Sequence, residues 1–269
     1  MIIAIDTGGT KTLIASFGED GTKQTLVKFP TPRDKSAYLE TVVAHIREYT
    51  APESINTIAV AMPGPIRNRV LLRSPNIGWS DFDVITELST YFPGVRVVLQ
   101  NDAALAGLAE AREFDTPGLC VYVTLSTGVG TGITYDGHFL PQLERFEGGS
   151  VRIDYDGTVQ RWEHIASGKS FYERHGLYGR DVTDPTIWED YAQRVLAGLR
   201  ILIPLLEPDH LVIGGSMGTH YLKYADLVQS HLDTTIAKHM QRTVISQAVH
   251  PEEAVIYGCY YYALDSRTD

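Results

Sequence analysis

Four short stretches of this sequence set glycines, hydroxyls and acids in patterns suited to phosphate and hydroxyl chemistry. Asp6-Thr7-Gly8-Gly9-Thr10-Lys11 follows the apolar run Ile2–Ile5. Glycines at Gly8 and Gly9 would bring backbone N–H groups close to a phosphate, with Thr10 as a hydroxyl donor. Asp6, at the strand end, would face a phosphate-bound Mg²⁺ through water. The same pattern is also a good hairpin turn with no ligand, and both readings stay open here. It is not a dinucleotide fingerprint, because no helix follows and G-x-G-x-x-G is absent.

Ser126-Thr127-Gly128-Val129-Gly130-Thr131-Gly132 packs three glycines and three hydroxyls into seven residues after a buried run. That density is more than a plain loop needs, so it reads as a second phosphate loop using Thr127, Gly128 and Gly130. Gly214-Gly215-Ser216-Met217-Gly218 follows Leu211–Ile213. It is either a tight βα turn or a place where adenine and ribose approach the backbone. Asn101-Asp102 ends one apolar run and opens an alanine-rich one. Asp is a preferred helix N-cap, which alone would explain it. The same position would also hold an ionised carboxylate at a strand end, able to take a proton from a hydroxyl. Gly168-Lys169-Ser170 mimics the end of a P-loop, but Glu163 stands where the first glycine belongs, so it reads as plain helix.

The elements that must carry these residues follow from periodicity. Ile2–Ile5, Thr12–Phe17 and Gln24–Phe29 read as a meander of strands, followed by a helix burying Leu39, Val42, Val43 and Ile46. Ile58–Met62 is a buried strand ending at Pro63-Gly64-Pro65. Asp83–Phe92 reads as a short helix, Val95–Leu99 as a strand and Ala103–Glu113 as a helix. This order puts an antiparallel hairpin on the edge of an otherwise parallel sheet. The second half repeats it, with strands Leu119–Leu125 and Gly132–Tyr135, a polar functional loop from Pro141 to Gly157, and helices Trp162–His175, Pro185–Leu206 and Leu222–His239. Strand Leu211–Ile213 lies between the last two helices, and Glu252–Leu264 closes the chain as a helix with Tyr257, Tyr260 and Tyr261 along one stripe. The strand–turn–strand at Ile5–Thr10 is echoed at Leu125–Thr131, which favours a duplication.

The 269 residues are 43% hydrophobic and 21% charged, enough for two modest α/β domains. A net charge of −10 argues against sequence-independent binding to nucleic acid or anionic membrane. With two cysteines, Cys120 and Cys259, neither a disulfide nor a cysteine-rich metal site is expected. Met1 leads straight into the first strand with no signal peptide, so a soluble, cytoplasmic protein is expected.

Taken together, these stretches resemble the ROK family of sugar kinases and sugar-responsive repressors, in the actin/hexokinase-like superfamily. The resemblance runs nearly end to end, through Asp6–Lys11, Ala61–Pro65, Ser74-Pro75-Asn76, Asn101–Glu110, Ser126–Gly132, Glu147–Gly157, Glu163–Gly168 and Gly214–Gly218. It implies an α/β fold of two RNase H-like lobes with an interdomain cleft: a smaller lobe over residues 1–112, with 251–269 packing back on it, and a larger lobe over 113–250. It implies an ATP-dependent sugar kinase, with Mg²⁺ and ATP as co-substrate. Asp102 would be the catalytic base. Asn76, Asn101, Glu147, Ser150 and Glu163 would meet the sugar, and Gly8, Gly9, Thr10, Lys11, Thr127, Gly128, Gly130, Gly214 and Gly215 the nucleotide. Partners are then a small sugar and ATP, with a homodimer left open and no nucleic acid or membrane.

Two departures from the family pattern stand out. Ser150 replaces the family histidine, and Thr158-Val159-Gln160-Arg161 occupies the place of the cysteine-rich zinc segment. No zinc is therefore expected, the loop would be held by packing around Phe146, Tyr155 and Trp162, and the sugar preference need not follow the family. Two alternatives remain: a catalytically idle nucleotide- and sugar-binding sensor, and a kinase using polyphosphate. A repressor of the same family would carry a DNA-binding module ahead of the first strand, and with Met1 abutting that strand it is not expected.

Overall fold

The computed structural model describes residues 1–115, 117–140, 142–238 and 243–266. Pro141, His239 and residues 267–269, which fall in the loop, a helix and the C-terminal segment read above, lie outside the described residues. By internal contacts the chain forms two units, Met1–Ala109 with Val255–Asp269, and Glu110–Ala254.

In the first unit, β1 (Ile2–Thr7), β2 (Lys11–Phe17) and β3 (Lys23–Pro30) form the meander, followed by α1 (Lys35–Tyr49) and β4 (Thr57–Met62). Three short strands come next, β5 (Ile66–Arg67), β6 (Val70–Ser74) and β7 (Trp79–Phe82), then α2 (Val84–Tyr91), β8 (Arg96–Asn101) and α3 (Asp102–Glu113). The main sheet has the order β3-β2-β1-β4-β8. Its β1–β2 and β2–β3 pairs are antiparallel, and its β1–β4 and β4–β8 pairs are parallel. Central strands of such a sheet are covered on both faces, and β4 is buried at every residue. The sheet of β5, β6 and β7 was not foreseen. Its strands are too short to show periodicity, and the positive φ of Asn68 and Arg69 that turns β5 into β6 carries no glycine signal.

The second unit repeats the plan. Its elements are β9 (Leu119–Leu125), β10 (Val129–Tyr135), β11 (His138–Phe139), β12 (Arg152–Tyr155), β13 (Thr158–Arg161), α4 (Glu163–Ala166) and α5 (Gly168–His175). They continue through α6 (Pro185–Leu206), β14 (His210–Gly214), α7 (Gly215–Gly218), α8 (Ala225–Thr235) and β15 (Val244–Gln247). The sheet order is β11-β10-β9-β14-β15, antiparallel at the β9–β10 and β10–β11 hairpins and parallel from β9 to β15.

Two helices differ from their sequence reading for local reasons. Trp162–His175 is broken at Ser167, whose backbone is extended while its Oγ accepts from Ser170 N, capping α5. In the segment expected to begin a helix at Leu222, a 3₁₀ turn over Tyr221–Lys223 comes first and α8 begins at Ala225. By contrast α6 runs over the residues expected, because Asp184 caps it and Pro185 takes the first turn. Among the described residues no helix is long and apolar enough to cross a membrane.

The last helix, α9 (Ala254–Asp265), packs within the first unit. Tyr260 stacks on Phe17 at 4.6 Å between ring centroids, and Tyr257 meets the same ring edge-on at 5.9 Å. At Gly258 the helix lies directly on the α3 backbone, where an added Cβ would overlap the Leu105 carbonyl. Backbone cannot move aside as a side chain can. Gly258→Val is therefore expected to cost about 1–3 kcal/mol or more through overpacking. Calorimetry should show a lowered Tm, and an unchanged one would mean that α9 is not seated this closely.

Candidate active site

The first unit gathers its polar residues at the ends of β1 and β8. The turn from β1 to β2 is held by Gly8 N donating to Lys11 O at 2.9 Å and by Thr31, whose hydroxyl donates to Gly8 O at 2.8 Å. Thr10 and Lys11 are exposed beyond it. Asn76 joins this turn, because a Cβ at Gly9 would stand 3.0 Å from Asn76 Cβ. Arg33 supports Asn76 from behind, donating to its carbonyl at 2.6 Å.

Asp102 is not the helix cap that its type suggests. Asn101 Oδ1 accepts from Ala104 N at 3.1 Å, so Asn101 caps α3 and its Nδ2 donates to Gly64 O at 3.1 Å. Asp102 is the first residue of the helix, its Oδ1 accepting from Ala103 N at 2.8 Å. Burial raises its carboxyl above the ordinary carboxylate value, opposed by backbone hydrogen bonds from Ala103 and its own N–H. Asp6 is raised further, to about 7, first by burial and then by the charge of Asp102, with Lys28 opposing. Two acids thus share one corner at an electrostatic cost, which is the pattern of a proton-handling or cation-binding site.

The second unit builds its own corner around the β9–β10 turn. Ser126 N donates to Gly128 O at 2.9 Å, leaving Thr127 exposed at the tip. Gly168 N donates to Ser126 O at 2.6 Å, and Ser216 N to Ser126 Oγ at 3.3 Å. The Glu163 carboxylate lies over this turn, 3.2 Å from where a Gly128 Cβ would be, and pairs with Arg161 Nη1 at 3.1 Å. Glu147 and Ser150 flank a short 3₁₀ turn at Gly148–Ser150, both exposed. Gly149 lies so close to β10 that a Cβ would overlap Val129 O, while Gly148 N donates to Thr131 Oγ1 at 3.0 Å. The loop bearing both residues is thereby pinned to the strand leaving the Thr127 turn.

Not every predicted residue joins these corners. Gly130 lies within β10, paired with Thr124, rather than in the turn. Gly214 and Gly215 need no ligand to explain their type. A Cβ at Gly214 would overlap the Tyr122 ring, and Gly215 has φ +77 with a Cβ 2.6 Å from Thr124 Oγ1. Sequence reasoning missed Thr31, whose type is too common to signal anything; Ser126, Ser216 and Gly168 lie in stretches it singled out, but it gave none of them a role of its own.

The sequence pattern of the ROK family matches residues 2–266. The chain belongs to the ROK family. A kanosamine kinase of Amycolatopsis mediterranei is 29% identical over 244 residues, covering 79% of each protein. Among solved structures, an inorganic polyphosphate/ATP-glucomannokinase of Arthrobacter sp. strain KM is 25% identical with a TM-score of 0.75, covering 98% of both chains. A ROK glucokinase of Streptomyces griseus, in complex with glucose and AMPPNP, has a TM-score of 0.80 at 20% identity over 98% of this chain and 99% of that one. The fold is accordingly the α/β fold of ROK sugar kinases.

In this ROK chain the segment that the resemblance assigns to zinc-binding cysteines is the β12–β13 hairpin, with Arg152 opposite Arg161. Trp162 beside it is fully buried, while Phe146 and Tyr155 pack partly buried against the same core. Among the described residues no group of three or more His, Cys, Asp or Glu could hold a metal ion.

The Asp6 shift has a sign that can be tested. Its carboxyl is raised from 3.8 to about 7, so between these values the folded state holds a proton the unfolded state has lost. Stability contributed by that proton is complete below pH 3.8 and is lost as pH rises towards 7. In chelator, Asp6→Asn is expected to melt above wild type at pH 8 and level with it near pH 4. Thermal denaturation at both values checks this, and equal melting at pH 8 would count against the raised carboxyl.

Proposed function

We propose that this protein is a sugar kinase, transferring the γ-phosphoryl group of ATP to a hydroxyl of a hexose or N-acetylhexosamine. The observation carrying the proposal is Asp102, a raised carboxyl in the first turn of α3 that does not cap its helix. A purely structural Asp at this point would accept the capping bond, yet Asn101 already does so. A half-buried acid kept beside a second acid without that duty is suited to accepting a proton.

The chemistry divides among the residues as follows. Asn101, whose amide accepts from Ala104 N and donates to Gly64 O, has a further N–H and acceptor lone pair to offer a sugar hydroxyl. Asn76, Glu147, Ser150 and Glu163 are assigned to further sugar hydroxyls. As the sugar oxygen bonds to the γ-phosphorus, its proton passes to Asp102, and the bond from phosphorus to the β,γ-bridging oxygen breaks to release ADP. Backbone N–H groups and hydroxyls at Gly8, Gly9, Thr10, Thr127 and Gly128, with Lys11, would offset phosphate charge. Gly214 and Gly215 would support the nucleotide through the shape of their turn, and Gly130 from within β10.

Mg²⁺ suits Asp6. A carboxylate pushed to about 7 by burial and a second acid, with Lys28 only partly offsetting them, is short of positive charge, and Mg²⁺ binds through one or two carboxylates while keeping several waters. Bound there, the ion would neutralise charge on the β- and γ-phosphates. The protein's own part is to hold that carboxylate and the sugar oxygen in place.

An ADP-release assay with Mg-ATP across hexoses and N-acetylhexosamines tests the reading, with polyphosphate as a parallel donor. Turnover of at least one sugar with ATP is expected, whereas sugar binding without turnover would favour a sensor. Asp102→Asn should fold and keep its sugar-dependent rise in melting temperature while kcat falls about 10²–10⁴-fold. A variant keeping more than about a tenth of wild-type kcat would remove Asp102 from the role of general base.

A further inference from the structure

Helix α6 carries an ion pair that lies outside the site but is bonded to the segment holding Glu163. Arg194 is 6% exposed. Its Nε and Nη2 donate to the two carboxylate oxygens of Asp190 at 2.8 and 3.2 Å, a two-pronged fork that fixes orientation as well as distance. Arg174 Nε and His175 Nε2, from the end of α5, reach the same carboxylate at 3.1 and 3.4 Å. The Arg194 guanidinium also lies 5.0 Å from the centroid of the Tyr155 ring, at the tip of the β12–β13 hairpin.

The same turns of α6 grip both ends of α4. Arg194 O accepts from Trp162 Nε1 at 3.0 Å, and Tyr191 OH donates to Ala166 O at 2.8 Å. Gly198 leaves room for the indole, since a Cβ there would overlap it. Trp162 N in turn donates to Val151 O at 2.9 Å. Trp162, the residue before Glu163, thus ties α6 to Val151, the residue after Ser150.

Arg194 is buried and Asp190 half-buried, and ion pairs contribute little net stability whether exposed or buried, so stability alone is a weak reason for this one. Burial would raise the Asp190 carboxyl, yet hydrogen bonds and charge from Arg194, with Arg174 and His175, hold it below its ordinary value. The group is ionised and the fork is kept.

We propose that the Asp190–Arg194 fork, with Tyr155 stacked on it, is a positioning brace that sets Glu163 and Ser150 for the acceptor sugar. These are positioning residues, acting through Trp162 rather than touching substrate. The proposal rests on the sugar-kinase reading, and its test separates the two. Wild type, Tyr155→Leu, Tyr155→Phe and Arg194→Met are assayed for KM of sugar, KM of ATP and melting temperature. Glucose, mannose, fructose, N-acetylglucosamine and N-acetylmannosamine serve as acceptors, and the melting-temperature shift from each sugar is recorded.

Tyr155→Leu is expected to raise sugar KM about 3- to 10-fold while ATP KM stays within about twofold, in line with one lost cation–π contact. Tyr155→Phe, which keeps the ring face, should match wild type. Arg194→Met should raise sugar KM by more than about tenfold if it folds, since it also breaks the fork. Sugar KM unchanged in Tyr155→Leu, or ATP KM rising equally, would reduce the brace to ordinary stability and overturn it. If wild type turns over no sugar but is stabilised by one, the kinase reading fails alone. The brace then stands if that stabilisation is weakened in Tyr155→Leu and falls if it is not.

Discussion

The side-chain amide of Asn101 accepts from the start of α3 and donates to Gly64 O, and the arrangement of the first unit's acids depends on those two bonds. A helix start leaves N–H groups that something must satisfy. Because Asn101 satisfies one and also holds the Pro63–Pro65 turn, Asp102 can sit in the first turn without serving as the cap. The electrostatic consequence reaches Asp6, whose carboxyl rises partly through the charge of Asp102. Removing the cap would shift the residue proposed as the general base, even though Asn101 itself need transfer nothing.

The second unit solves a different problem, the holding of a polar loop without regular structure. Gly148 and Gly149 allow the loop to lie against β10, closer than any side chain would permit. Trp162, fully buried, bonds the end of that loop to α6. The Glu163 carboxylate then lies over the Ser126–Gly128 turn. A contact between a residue assigned to sugar and one assigned to phosphate would let acceptor and donor sense each other through one carboxylate.

The two sheets share one order, an antiparallel hairpin edge running into parallel strands. In both, a glycine turn links the first two strands of the unit, at Gly8–Thr10 and at Ser126–Gly128. The chemistry has diverged on this common frame. The first turn follows an acid, Asp6, whereas the second follows a serine, Ser126, that accepts from the N-terminal N–H groups of two other segments.

Much of this was legible in the residues themselves. The strand–turn–strand repeats, the extent of α6 and the position of Asp102 at a strand-to-helix junction depend on periodicity, caps and glycine, which are local properties of a chain. What the sequence alone could not decide were relations between distant segments. That Asn101 rather than Asp102 caps α3 depends on which oxygen reaches Ala104 N, and both residue types are good caps. That Gly214 is glycine for the sake of Tyr122 depends on strand pairing between β9 and β14. The pairing of Tyr155 with Arg194 joins a hairpin to a helix 39 positions later in the chain. A tyrosine in a polar loop, an arginine in a helix and an aspartate four residues before it are each ordinary in isolation. Only folding brings them within reach, because burial supplies the low dielectric that makes their charges and rings interact strongly.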